Sequence, residues 1–485
     1  MATARFLYEV VYKTKPSAAH RHDGIPGAVS FHKNKNLPSM KRIYIILTFT
    51  LISSFLSAQS TILLKNVNVW DGKSNQLKNN YCVLVEDNLI TSVEKNIPEP
   101  EGALIINGDS KTLIPGLSDA HVHLQTTMSD KEIRNDADWM YIALRAGKVA
   151  ESFLMMGFTT VRDMGGPIFG VKRAVDEGLI PGPRIYPSGA FLSQTSGHGD
   201  YRNRNDPNPY WSNPSMNPMD NQGWFYIVDG VPEVLKATRE NLKNGASQIK
   251  IMAGGGISSE FDPIHSMQFT PDEIEAAVQA ASDWDTYVAA HIYNSKGIIR
   301  ALEAGVKCIE HGHLLNDEAA QLLKEKDAWL VPQSFWTIVP KDYWTGSEDI
   351  PAKTWKKIQV VLEGAVQEME LAKKHNLNLA FGTDAYGPLG FEKYALMEFT
   401  SRVRWYSPLE VLKQATSENA RLFSLSGKIN PYKEGKLGVI EKGAYADLLI
   451  YEGNPLEDVE VVVNYEENLK LIMKDGKIFK NELKD

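Results

Sequence analysis

Short apolar runs punctuated by turn residues open the informative part of the chain. Between 61 and 114 lie Ile62-Leu63-Leu64, Val67-Asn68-Val69-Trp70 ahead of Asp71-Gly72, Cys82-Val83-Leu84-Val85 and Leu89-Ile90-Thr91-Ser92-Val93, a pattern that predicts a small antiparallel sheet. The far end repeats it with Gly438-Val439-Ile440, Ala446-Asp447-Leu448-Leu449-Ile450-Tyr451 and Leu469-Lys470-Leu471-Ile472-Met473 before Lys474-Asp475-Gly476. Strand sets at both ends of a long middle predict one composite domain, a small β-sandwich built from 59–114 together with 430–485.

Across 115–429 the period changes. Helical patterns near 138–155, 171–177, 232–243, 317–324 and 354–374 alternate with short apolar strands. Those strands include Thr159-Thr160-Val161-Arg162, Gln248-Ile249-Lys250-Ile251-Met252, Thr286-Tyr287-Val288-Ala289-Ala290-His291, Lys307-Cys308-Ile309-Glu310-His311 and Leu379-Ala380-Phe381-Gly382-Thr383-Asp384. About eight βα units in succession predict an α/β fold, a (β/α)8 TIM barrel with its site at the C-terminal ends of the strands. Thr270-Pro271-Asp272-Glu273 supplies a helix N-cap, a proline at the first helical position and the reciprocal carboxylate. The Asn/Pro/Gly-rich stretch 193–222 is too polar for core, and loops of that length are usually functional or disordered.

Composition narrows the chemistry. The 485 residues are 43% hydrophobic and 23% charged, which suits a globular chain with a large core. A formal charge of -8, with no cluster of Lys and Arg interleaved with aromatics, argues against nucleic acid as a partner. Cys82 and Cys308 are the only cysteines, so a bound metal must be held by His, carboxylate or a modified side chain. From Met40 the chain runs Lys41-Arg42, an apolar stretch over 43–56, then Ser57-Ala58-Gln59, which reads as a secretory signal cut after Ala58 and predicts a periplasmic or secreted protein. About 14 apolar residues fall short of the roughly 20 needed to span a bilayer, so no stable membrane anchor is expected. A signal belongs at an N-terminus, which makes residues 1–39 a non-native or removed extension.

The strongest chemical signal is Ile114-Pro115-Gly116-Leu117-Ser118-Asp119-Ala120-His121-Val122-His123, a turn and a buried strand ending in two histidines. Strand side chains alternate, so His121 and His123 share one side, where two imidazoles suit a zinc-type cation. The spacing alone is weak, because His20-Arg21-His22 and His311-Gly312-His313 repeat it among only 11 histidines. Position is what discriminates. His121 and His123 end the first barrel strand, His291 the fifth, His311 the sixth and Asp384 the eighth, while Lys250 lies in the fourth. Each alone reads as a surface histidine or a snorkelling lysine; their joint placement outweighs that.

With these residues, and with Gly157-Phe158-Thr159-Thr160-Val161-Arg162-Asp163, Ile309-Glu310-His311-Gly312, Gly382-Thr383-Asp384-Ala385 and Ala446-Asp447-Leu448, nearly the whole mature chain resembles the amidohydrolase superfamily. Within it, the chain is most similar to the imidazolonepropionase-like branch that includes zinc Xaa-Pro dipeptidases. The resemblance implies two zinc ions, one on His121, His123 and Asp384, the other on His291 and His311, bridged by carbamylated Lys250, with Asp384 as the catalytic proton carrier. His198, in Ser196-Gly197-His198-Gly199-Asp200, resembles a family Gly-His segment facing the metals, and Tyr293 resembles the His-Ala-Tyr of the dipeptidase branch with Ile292 in place of Ala. Both are substrate-binding candidates, against a solvent histidine and a packing tyrosine. His313 falls outside the pattern and reads as a supporting or structural histidine, while Arg162 and Asp163 read equally well as a buried structural pair. The implied function is hydrolysis of an amide bond in a dipeptide or N-acyl amino acid. A cyclic or xenobiotic amide on the same centre is an alternative, and a non-catalytic binding protein on this fold is another, although all six ligand positions are filled. The side-chain preference, the native metal and whether the chain forms a homo-oligomer stay open.

Overall fold

The structure, a computed structural model, describes residues 61–206, 219, 222–339 and 352–483. The extension 1–39, the leader 40–58 and His20 and His22 lie outside the described residues, as does part of the long polar stretch 193–222.

The alternating middle of the chain folds into the strands Leu117–Val122, Phe158–Asp163, Arg184–Pro187, Ile249–Met252, Val288–Asn294, Cys308–Leu314, Trp329–Val331 and Asn378–Leu379. Neighbours among them pair in parallel, as βα crossovers require. The first three form one sheet; the other five form a second, extended at its edge by Phe191–Ser193 and Phe225–Ile227. Backbone bonds cross both seams. Ser247 N donates to Pro187 O at 2.8 Å on one side, and Ala120 N donates to Phe381 O at 2.8 Å on the other. Most of these strands are wholly buried, covered outside by helices whose apolar stripes face them. In Trp139–Met155 that stripe is Ile142, Ala146, Val149, Ala150 and Phe153, and Asp138 caps the helix by accepting from Met140 N and Tyr141 N. The predicted capping box of Thr270 and Glu273 starts the helix Pro271–Ser282.

The eighth strand, predicted over 379–384, is regular only at Asn378–Leu379. Beyond it backbone bonds alternate with bonds to side chains: Ala380 N donates to Leu330 O at 3.0 Å, Phe381 N to Asn419 Oδ1 at 2.9 Å and Thr383 N to Asp119 Oδ1 at 3.1 Å.

Strands from both ends of the described chain form one eight-stranded sheet. Thr112–Pro115 joins the two sets, pairing in parallel with Thr61–Val69 and antiparallel with Leu448–Tyr451. The first set, predicted antiparallel, thus contains parallel pairings, here and between Thr61–Val69 and Leu104–Asn107, because the chain crosses back past its first strand after Leu89–Glu94. Arg184, at the start of the third barrel strand, reaches this sheet: its Nη1 donates to Asp447 Oδ2 at 2.6 Å and its Nη2 to Asp475 Oδ1 at 2.5 Å. No described helix is long and apolar enough to cross a membrane.

Candidate metal centre

Five strand ends bring nitrogen and oxygen ligands to one cavity. His121, Lys250 and His291 lie on buried strand segments, His311 follows Glu310 in the sixth strand, and Asp384 stands beyond the short eighth. One ligand atom each from His121, His311 and Asp384 fall within 4.8 Å of one another. Asp384 Oδ1 is 3.5 Å from His121 Nε2 and 3.3 Å from His123 Nε2. The His291 ring lies 4.4 Å from that of His311, centre to centre. All six, with His198 and Tyr293, line a single cavity.

The electrostatics suit a cation. Among the described residues, His121 Nε2, His291 Nε2 and Asp384 Oδ1 are buried and without a hydrogen-bond partner, a costly state unless something outside the chain satisfies them. Burial, reinforced by neighbouring positive groups, pushes the His121, His291 and His311 imidazoles well below their ordinary range, so their lone pairs are free at neutral pH. Burial acts in the opposite sense on Asp384, but His121 and His123 outweigh it and keep the carboxyl ionised. Lys250 is 1% exposed and lines the cavity beside them. Burial lowers its pKa as well.

Each ring is aimed from behind. His121 Nδ1 sits 2.7 Å from Glu310 Oε2, and Glu310 Oε1 accepts from Arg162 Nη2 at 2.7 Å. His311 Nδ1 sits 2.7 Å from Gln333 Oε1. Such partners fix ring orientation and tautomer. Glu310 and Gln333 were not singled out from sequence. A charged residue inside the apolar run Cys308-Ile309 was the available signal for Glu310; Gln333 offered none. Arg162 and Asp163 are not a pair. Arg162 serves Glu310, whereas Asp163 accepts from Leu124 N at 2.9 Å and is pushed up to about 6 by burial.

His198 stacks on His291 with ring centres 4.1 Å apart, and Tyr293 meets His291 edge-on at 5.0 Å. Neither is a solvent residue; both are buried against the cavity. His313 lines the same cavity, its Nδ1 2.6 Å from the buried Glu368 Oε2.

In an α/β barrel the active site lies at the C-terminal ends of the strands, where these residues gather, and the family profile of amidohydrolases matches residues 112–479. The chain belongs to the amidohydrolase family and is a hydrolase of amide carbon–nitrogen bonds. It is 30% identical to ochratoxinase of Aspergillus niger over 415 residues, which are 83% of each chain. Among solved structures it is similar to a prolidase complexed with N-methylphosphonate-L-proline (33% identity, TM-score 0.79, 87% of this chain and 100% of that one). It is likewise similar to a Xaa-Pro dipeptidase with methionine bound in its active site (29%, 0.75, with 87% and 100% covered).

Proposed function

We propose that the protein is a binuclear zinc amidohydrolase that removes the C-terminal residue from a dipeptide or an N-acyl amino acid bearing a free α-carboxylate. The observation that carries this is Lys250, a buried amine lining the cavity together with the unpaired His121 Nε2, His291 Nε2 and Asp384 Oδ1. A neutral amine in that position adds to the carbon of carbon dioxide and loses a proton, giving a carbamate whose two oxygens can each hold one cation. His121, His123 and Asp384 would hold one zinc, His291 and His311 the other. The chemistry such a cation would supply there is a water of lowered pKa and a polarised scissile carbonyl. Asp384 accepts the proton of the attacking water and returns it to the leaving amine, since one carboxylate can reach both. Glu310 and Gln333 keep His121 and His311 from rotating.

The cavity is otherwise mostly apolar, with Phe191, Met252, Trp336 and Val361 among its walls, so the polar groups set orientation. His198 and Tyr293 are the contacts assigned to the substrate carboxylate, as the likeness to a prolidase and an Xaa-Pro dipeptidase supports. The likeness to ochratoxinase favours a second reading, in which a xenobiotic amide occupies the same centre.

Metal analysis together with kinetics on a dipeptide panel tests the proposal. Free acids should be cleaved well and their C-terminally amidated forms poorly, because a site built around a carboxylate leaves its buried donors unpaired with the amide. Equal rates for acid and amide would remove the carboxylate requirement and leave the xenobiotic reading.

A further inference from the structure

The helix Ala352–His375 gives the cavity wall Ile358, Val361 and Leu362, and beside them it grips a neighbouring loop. Its Lys357 is 7% exposed, and Nζ donates to three carbonyls of one loop: Gly256 O at 2.8 Å, Ser259 O at 2.8 Å and Asp262 O at 2.6 Å. One turn earlier, Lys353 Nζ donates to Glu260 O of the same loop at 2.7 Å. Three bonds exhaust the donors of an ammonium, so Lys357 is a fixed clamp and not a snorkelling surface cation.

The clamped loop in turn holds His198. Asp262 Oδ1 accepts from Ser259 Oγ, and Ser259 Oγ lies 2.7 Å from His198 Nδ1. Asp262 Oδ2 accepts from Gly256 N at 2.8 Å, and Gln268 Oε1 accepts from His198 N at 2.8 Å. The ring is enclosed on both sides. His291 stacks on it at 4.1 Å, and a Cβ on Gly256 would lie 2.0 Å from His198 Cε1. Because Ser259 Oγ gives its one proton to Asp262, Nδ1–H of His198 donates to Ser259, and Nε2, left for the cavity, donates to a carboxylate in the imidazolium form, which Asp262, 3.5 Å from Nδ1, pairs with.

We infer that Lys357 is a positioning residue for substrate recognition: by gripping the loop 256–262 it holds Ser259 and Asp262 against His198 Nδ1 and so aims His198 at the substrate carboxylate. The inference rests on the carboxylate role given to His198 above. Lys357 touches none of the six metal-type residues, so its loss acts on binding of the carboxylate and not on the metals. A charge-assisted hydrogen bond that is no longer aimed costs roughly 10- to 100-fold in affinity.

The test compares Lys357→Met, Ser259→Ala and His198→Asn in the zinc-loaded enzyme, using a dipeptide and its C-terminal amide, zinc content and a crystal structure of Lys357→Met. Ser259→Ala cuts the link to His198 while leaving the backbone carbonyl that Lys357 grips, so it tests the relay even where Lys357→Met fails to fold. In all three variants KM for the acid should rise more than kcat falls, the acid-to-amide preference should shrink by roughly 10- to 100-fold, and zinc content should hold. In the Lys357→Met crystal, His198 should leave its stack on His291. An unmoved His198 with an unchanged acid-to-amide preference in Lys357→Met, or an unchanged preference in Ser259→Ala, overturns the proposal even where the melting temperature drops. A displaced ring in Lys357→Met, combined with an unchanged preference in His198→Asn, would uphold the clamp and discard the carboxylate role of His198.

Discussion

His311 and Asp384 share an uncommon backbone state, with φ of 70° and 51°. Left-handed geometry at a non-glycine residue costs about 1–3 kcal/mol and persists only where its surroundings impose it. Here it breaks strand alternation, so that Glu310 and His311, adjacent in sequence, both reach the centre: one supports His121 and the other presents its own ring. The strand pattern pointed to His311 as a strand end but could not show that its neighbour joins the same site. Two outcomes are expected at this scale. Lys250→Ala should lose bound metal and activity together, by more than roughly 100-fold, beyond what loss of a supporting partner costs, and formate or acetate should restore part of the rate. Elemental analysis beside turnover decides; a variant keeping its metal and a near-normal rate would reduce Lys250 to packing. Asp262 gives a pH dependence. Burial pushes its carboxyl up, but hydrogen bonds from His198, Ser259 and Gly256 outweigh that and hold it at about 2, below the ordinary 3.8. The folded pKa is depressed, so the stabilisation, about 2 kcal/mol, is complete above the ordinary value and is lost as pH falls through the folded one. Unfolding midpoints in urea for wild type and Asp262→Asn should therefore converge as pH falls from 5 towards 2, and a constant gap would refute the assignment.

Among elements, the seam between the first and eighth strands depends on a residue from neither. Asn419 begins the helix Asn419–Ser424, directly after a π-helical turn at Gln414–Glu418. Its Nδ2 donates to Ser118 O at 2.9 Å and to Phe381 O at 2.8 Å, while its Oδ1 accepts from Phe381 N. A side-chain amide thus works beside the backbone bonds Ala120 N to Phe381 O and Asp384 N to His121 O, and the predicted six-residue strand is regular only at Asn378–Leu379. Asn419→Ala should destabilise by about 2–4 kcal/mol, since several buried backbone groups lose partners at once. Because Asp384 N donates to His121 O at 2.7 Å across the same seam, metal affinity should fall with it. Denaturant titration of the metal-free protein reads the first effect, and an unchanged midpoint would show that the seam closes without Asn419. Helices were legible to within a few residues because their caps and apolar stripes are local, as in 138–155 against Trp139–Met155. The eighth strand was not, because two of its amides bond to side chains of distant elements, Asn419 on a later helix and Asp119 on the first strand.

For the whole molecule, the barrel and the sheet made by the chain's two ends are tied together by Arg184, whose charge is matched by Asp447 and Asp475 across the contact. Both sets of terminal strands must therefore be present for the sheet to complete, and a leader ahead of Thr61 can be removed without touching any described strand. The signal pattern at Met40 leads to the expectation that exported protein begins near Gln59. Mass spectrometry of the secreted or periplasmic protein checks this; a folded, active enzyme retaining residues 1–39 after export would contradict it.

Sequence alone determined the barrel, the strand ends that carry His121, His123, Lys250, His291, His311 and Asp384, and the likeness to an amide-hydrolysing family, because apolar periodicity, caps and short motifs are local in the chain. Tertiary structure alone decided which residues orient those six, hold their strands together and fix His198 beside them. Glu310 beneath His121, Gln333 behind His311, Asn419 at the seam and Lys357 on the loop that holds His198 act through contacts between distant segments. A buried hydrogen bond is specified by where two polar atoms meet in space, and no spacing along the chain encodes that meeting.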